Sequence, residues 1–181
     1  MNKILFPKII WFLALLIPFT FFGFYASYFS KILSGFSVVF HAHAFFMILW
    51  VVMAIVQPVL IKQKKIHLHK IIGKISYFIM PLVFITAYIV IRYTYHNFMG
   101  KQIAEVEKGI LKLTEEEIKA NGAAYIMIGV VYFTWLFIFY LLAIINRKKM
   151  LPHATYMFAA ILTILGPTVD RIIYQITTFF V

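Results

Sequence analysis

Residues 38–61 contain no Asp, Glu, Lys or Arg, and a run of this kind permits few folds. As a helix it is long enough to cross roughly 30 Å of hydrocarbon. Helical spacing puts His43, Met47, Trp50, Ala54 and Gln57 at i, i+4, i+7, i+11 and i+14, one stripe at the 3.6-residue period. A helix that is apolar all round and keeps its few polar groups in register turns that stripe toward protein and the rest toward lipid. The basic run Lys62, Lys64, Lys65 ends the segment.

Similar runs recur. Residues 9–29, 71–93, 123–145 and 152–180, ending at Phe180, give four more spans, with Pro18 expected to kink the first and Pro152 placed near the start of the last. The first span has a competing reading as a signal peptide, with Lys3 and Lys8 as its basic flank. Its apolar stretch is longer than the usual core of about 7 to 15 residues, and aromatic residues continue through the would-be cleavage site, so a retained anchor is expected. The chain is 64% hydrophobic and 13% charged, which excludes an ordinary soluble domain. The expected fold is therefore all-α: a polytopic membrane helix bundle of about five transmembrane helices, forming a single integral membrane domain over residues 1–181.

Residues 97–121 differ from everything around them. Ile103, Val106, Ile110 and Leu113 share one face among Lys and Glu, which predicts an amphipathic helix lying on the membrane surface, or else a mobile loop. Thr114 and Glu117 fit a capping box, from which a helix runs, bent at Gly122, into the fourth span. Tyr93, Tyr95 and His96 read as an interfacial belt.

The charges fix an expected orientation. With the N-terminus in the cytoplasm, Lys3, Lys8, Lys62, Lys64, Lys65, Lys70, Lys74, Arg147, Lys148 and Lys149 all fall inside, and all six carboxylates fall outside. The net charge of +11 is thus a topology signal, and nucleic acid is not an expected partner. The expected location is a bacterial inner membrane, with the 97–121 loop extracytoplasmic and the lipid bilayer as the main partner. The absence of cysteine excludes disulfides, iron–sulfur clusters and covalent c-type haem.

Topology sorts the histidines into two layers, His41, His43 and His96 near the outer face and His67, His69 and His153 near the inner one. Imidazoles at membrane depth are candidates for haem ligation or proton relay, although a histidine at a span end can also simply reach headgroups or water. In His41-Ala-His43 and His67-Leu-His69 the two rings of each pair point about 200° apart on a helix, so one histidine from each pair, His43 and His69, is the candidate. The fifth span repeats the stripe with His153, Met157, Ala160, Ile164, Pro167 and Arg171. Asp170 is the sole acid in any span and is expected to pair with Arg92, Arg171 or both.

The order H-x3-M-x2-W-x6-Q-P, then H-x3-G, then H-x3-M-x8-G-P-x3-R, at His43 through Arg171, resembles a family of uncharacterised bacterial multi-pass membrane proteins. A fainter resemblance is to cytochrome b561-like helical proteins, in which histidines on central helices ligate b haems. That resemblance implies haem b held by His69 and His153, with His43 and His96 as a second pair although the fourth span has no histidine. It further implies electron transfer with a quinone or a membrane redox partner. The alternative is a non-catalytic accessory subunit of a membrane complex, or a small transporter, whose polar stripes hold helices together. Whether the protein is an enzyme is left open by these motifs.

Overall fold

The computed structural model describes residues 5–179; Lys3 and Phe180 lie outside the described residues. Six helices follow in order: α1 (Leu5–Tyr25), α2 (Val38–Lys62), α3 (Ile66–Glu107), α4 (Glu115–Ile145), α5 (Met150–Leu162) and α6 (Leu165–Phe179), with a short 3-10 turn at Phe29–Lys31. Four single helices and the α5–α6 pair are each long and apolar enough to cross a membrane. The chain is an all-α, multi-pass membrane protein.

The spans run up and down, each packed on the next. α2 lies on α3, α3 on α4 and α4 on α5, while α6 returns to α1 and α1 touches α2, which closes the ring. Trp50, Met53, Met80, Val83, Leu136, Ala160 and Ile161 fill the middle, and Leu13 and Leu16 join them from α1. Around the outside stand Trp11, Phe45, Phe78 and Val131, an apolar surface that suits lipid. One end of the bundle carries Lys62, Lys64, Lys65, Lys70, Lys74 and Arg147 to Lys149 and is the basic end. The other carries the long α3–α4 connection and is the hairpin end.

Two features add to the expected outline. Residues 97–107 continue α3 without a break, so that its 42 residues span about 63 Å at 1.5 Å per residue, roughly twice a hydrocarbon core. α3 is therefore longer than one crossing needs, and α4 returns beside it. A helix can continue in this way because nothing before Glu107 stops it and α4 covers one of its faces. Phe98 stacks on Tyr125 with centroids 4.2 Å apart, and Gly122 leaves room for Tyr95 and Met99. The turn is a Schellman stop: Gly109 takes φ +72°, Ile110 N–H bonds the Glu105 carbonyl at 3.0 Å and Gly109 N–H bonds that of Val106 at 2.9 Å. The capping box expected at Thr114 is present, with Thr114 N–H on the Glu117 carboxylate at 2.7 Å and Glu117 N–H on Thr114 Oγ1 at 3.3 Å.

The second feature is in the fifth span, which is made of two helices. It breaks at Thr163–Ile164, between α5 and α6. Pro167 has no N–H for the Thr163 carbonyl and its ring crowds that carbonyl, which is where the break falls. The stripe from His153 to Arg171 is therefore carried on two pieces.

Candidate functional site

At the basic end, three helices bring polar groups together. Gln57 sits one turn before the end of α2, His69 in the first turn of α3 and His153 in the first turn of α5. The Gln57 amide reaches across to α3. With the amide oriented so that both of its ends are satisfied, its Oε1 accepts from Gly73 N–H at 3.0 Å, and its Nε2 donates to the His69 carbonyl at 3.3 Å and to His69 Nδ1. On the other side His153 Nδ1 meets the Ala143 carbonyl of α4 at 2.9 Å. The two imidazoles stand at the same end of the bundle, in the first turns of α3 and α5, although these helices make at most marginal backbone contact.

These partners assign the protons. A carbonyl can only accept, so His153 carries its proton on Nδ1 and, when neutral, presents a lone pair on Nε2. His69 receives a proton from Gln57 on Nδ1, so its neutral ring carries hydrogen on Nε2. The pair is then complementary, one nitrogen a donor and the other an acceptor.

At the hairpin end the same side chain is set the other way. Thr86 of α3 gives its single hydroxyl proton to the Leu82 carbonyl at 2.7 Å, so its oxygen can only accept from His43, whose Nδ1 lies 3.1 Å away. His43 Nε2 is consequently a lone pair. Arg171 of α6 is within electrostatic reach. Its guanidinium lies over the Phe24 ring at 4.3 Å, a cation–π contact, and its Nη1 donates to the Pro167 carbonyl at 2.9 Å. Below it Gln175 Nε2 donates to the Gly23 carbonyl at 2.7 Å, joining α6 to α1. Gly23 is needed there, since a Cβ would sit 2.9 Å from the Thr168 carbonyl oxygen. Farther along α3, a cleft of about 250 Å³ opens between the loop before α2, α3 and α4, with Phe40, Tyr93, Asn97, Phe98, Lys101 and Tyr125 among its walls.

Other expected partners stay apart. His96 is exposed and touches Tyr95 through its ring; it stands ten residues beyond Thr86, about 15 Å along the helix, so it does not reach the level of His43. Asp170 forms no ion pair with Arg92 or Arg171: among the described residues the carboxylate–amine contact is Lys119–Glu115 at 2.5 Å. Arg171 turns to Phe24 and its own helix instead, and Arg92 is exposed. Nor do three His, Asp or Glu side chains converge among the described residues, so metal chemistry would rest on pairs.

Sequence reading passed over Ser76, Thr86 and Tyr140. Ser76 is 3% exposed, donates to the Gly73 carbonyl at 2.7 Å and meets the Tyr140 hydroxyl at 3.0 Å, while Tyr140 packs edge-on to Trp50 at 5.8 Å. The signal was available: extending from His69 at the same spacing as the other stripes reaches Gly73, Ser76, Met80 and Val83, and the last three are buried.

No protein family, curated protein or solved structure matches the chain, so the resemblances carried by its histidine motifs reach no further than a five-helix apolar bundle.

Proposed function

We propose that the protein is a membrane-embedded electron carrier holding one b-type haem at its basic end, with His69 and His153 as axial ligands. The observation that supports this reading is that His69 and His153 both stand in the first turn of a span at the basic end, each with its Nδ1 set against a neighbouring helix; the absence of close packing between α3 and α5 weighs against it. An outer partner on the far ring nitrogen is the usual support of a ligating histidine. His153 fits directly, its Nδ1–H held by a carbonyl and its Nε2 open. His69 fits once the Gln57 amide makes a half-turn, so that Oε1 faces Nδ1–H; this forfeits the contacts to Gly73 and the His69 carbonyl, at about 1 kcal/mol each. Bound there, haem supplies a one-electron couple.

The chain's own residues do the remaining work. Gln57 and Ala143 hold the rings in orientation, the apolar core excludes water, and Lys70, Lys74 and Arg147 offset propionate charge. The basic end faces the cytoplasm of a bacterial cell, and the electron partner is a quinone or another membrane redox protein. His43 also presents Nε2, but with His96 distant it has no axial companion, so the reading is of one haem.

A second reading is favoured by the Gln57 amide in the orientation that satisfies both of its ends. There the amide ties α2 to α3, and the cluster is interhelical glue in a non-catalytic subunit or small transporter. A visible spectrum of protein purified from haem-replete cells separates the two. A reducible Soret band lost in both His69→Ala and His153→Ala supports the carrier; a colourless protein overturns it.

A further inference from the structure

The stripe of α3 that packs into the core does not stop where the core stops. The alternating four- and three-residue spacing that buries Ser76, Met80 and Val83 runs on through Ala87 and Val90 to Thr94, Asn97 and Lys101. Beyond Arg92 the stripe is wholly polar. Its cover ends at the same level: α2, which lies along α3, begins at Val38, and its Phe40 ring meets Tyr93 edge-on with centroids 5.2 Å apart. Past that contact the stripe lines the cleft, whose far wall is Tyr125 of α4, stacked on Phe98. Ser37 stands at the lip, just before α2, with its hydroxyl unused as a cap. Among the described residues the side chains of Ser37, Thr94, Asn97 and Lys101 make no hydrogen bond or ion pair, and no carboxylate lines the cleft.

We infer that the cleft binds the headgroup of an anionic phospholipid with free hydroxyls, phosphatidylglycerol being the simplest, as a defined site and not as part of the bulk lipid shell. Depth argues for a lipid. From Lys74 to Arg92, with no charge between them, α3 rises about 27 Å at 1.5 Å per residue, close to the roughly 30 Å of a hydrocarbon core. The cleft opens at the next residue, Tyr93, and Asn97 stands about 6 Å farther along, within a headgroup layer about 5–8 Å deep. Chemistry then chooses among heads. The Lys101 ammonium asks for a phosphate oxygen. Ser37, Thr94 and Asn97 each donate and accept, which a glycerol hydroxyl matches on both counts. Phe40 and Tyr93 cover the carbon skeleton where it meets the hydrocarbon. A space of about 250 Å³ holds a head whose chains stay in the bilayer and is small for a whole ligand. A choline head finds aromatic walls here, but Lys101 repels its charge and it has no hydroxyl for the polar stripe, so phosphatidylcholine is the poorer occupant. The site lies at the opposite end from His69 and His153 and stands with or without a haem there.

The test is a magnetic resonance titration of the asparagine side-chain amides in the full-length protein, held in dodecyl maltoside micelles, with dihexanoyl phosphatidylglycerol or dihexanoyl phosphatidylcholine. Asn97 lines the cleft and is assigned by its loss in Asn97→Leu, whereas Asn146, beside Arg147 at the basic end, reports unspecific anion binding to the lysines there. Phosphatidylglycerol is expected to shift the Asn97 amide saturably, and phosphatidylcholine to bind there at least tenfold more weakly, the scale of one hydrogen bond. Lys101→Gln should weaken phosphatidylglycerol about tenfold at Asn97 while leaving the Asn146 response unchanged. Lys101 is exposed, so this variant keeps its fold. Glycerol 1-phosphate, which has the head without the chains, is expected to bind at least tenfold more weakly than the lipid; equal affinity makes the site one for a soluble phosphate and overturns the lipid assignment. Equal shifts with both lipids, no saturable shift at Asn97, or a Lys101→Gln titration identical to the wild type overturns the proposal as well.

Discussion

At the hairpin end His43 gives its Nδ1 proton to a threonine that has already spent its own on a backbone carbonyl; at the basic end His69 takes a proton on Nδ1 from a glutamine amide. The two rings sit on adjacent helices of one bundle, and their free nitrogens have opposite character. Histidine chemistry in this chain is therefore decided by the neighbour on the far nitrogen and not by depth in the membrane. Threonine, once bonded to its own helix, has one role left to play. Glutamine has two, because its amide can turn.

The sharpest break in that comparison comes from removing the rings. His153→Ala is expected to abolish haem absorbance, whereas His43→Ala leaves it in place; equal loss from both would mean that the ends are not separate sites. Absorbance per mole of folded protein, checked by size-exclusion profile, is the measurement. Next in size is the packing that holds Arg171 in position. A Cβ at Gly166 would fall within the Tyr132 ring, so Gly166→Ala should destabilise the bundle by about 1–3 kcal/mol. Beside the other cluster, a Cβ at Gly73 meets Gln57 at an ordinary 3.7 Å, so Gly73→Ala should be neutral or stabilising by about 0.5–1 kcal/mol. Denaturant titration in detergent reads both.

Smaller effects probe the partners themselves. Thr86→Val strands the His43 Nδ1–H and should cost about 0.6–1.7 kcal/mol, the range for polar contacts between membrane helices. Gln57→Leu should cost no more, yet should move the His69 proton from Nε2 toward an even mixture of tautomers, which nitrogen-15 imidazole shifts resolve. Unchanged shifts would remove Gln57 from its assigned part. Thr114→Ala should touch neither site, and only speed amide exchange in the first turn of α4.

Much of this was legible in the chain. The number of spans follows from charge-free runs that have no soluble use, and the α2 stripe follows because one polar group per turn has one place to go. The capping box at Thr114 is local chemistry and reads directly. The direction of residues 97–107 did not, since a charged amphipathic helix has the same composition whether it lies on a membrane or leans on another helix; α4 decides the matter. Pro58 and Pro167 look alike in sequence, yet α2 runs through the first and the fifth span breaks just before the second. Gly166, which removes a side chain next to Pro167, is the local difference. Thr86 was hidden for a different reason: a threonine in a helix can always satisfy itself on the preceding turn, so nothing in the sequence marks one that also holds a neighbour.

The break at Thr163–Ile164 divides the ring mechanically. α5 is packed on α4, whereas α6 is packed chiefly on α1, so the two halves of the fifth span belong to different neighbours. His69 and His153 thus stand on helices that both pack on α4, whereas His43 and Arg171 stand on helices whose main neighbours differ, α3 for α2 and α1 for α6. The two ends of the molecule are framed by different sets of helices, so a substitution in the α1–α6 seam reaches the surroundings of Arg171 before those of His69.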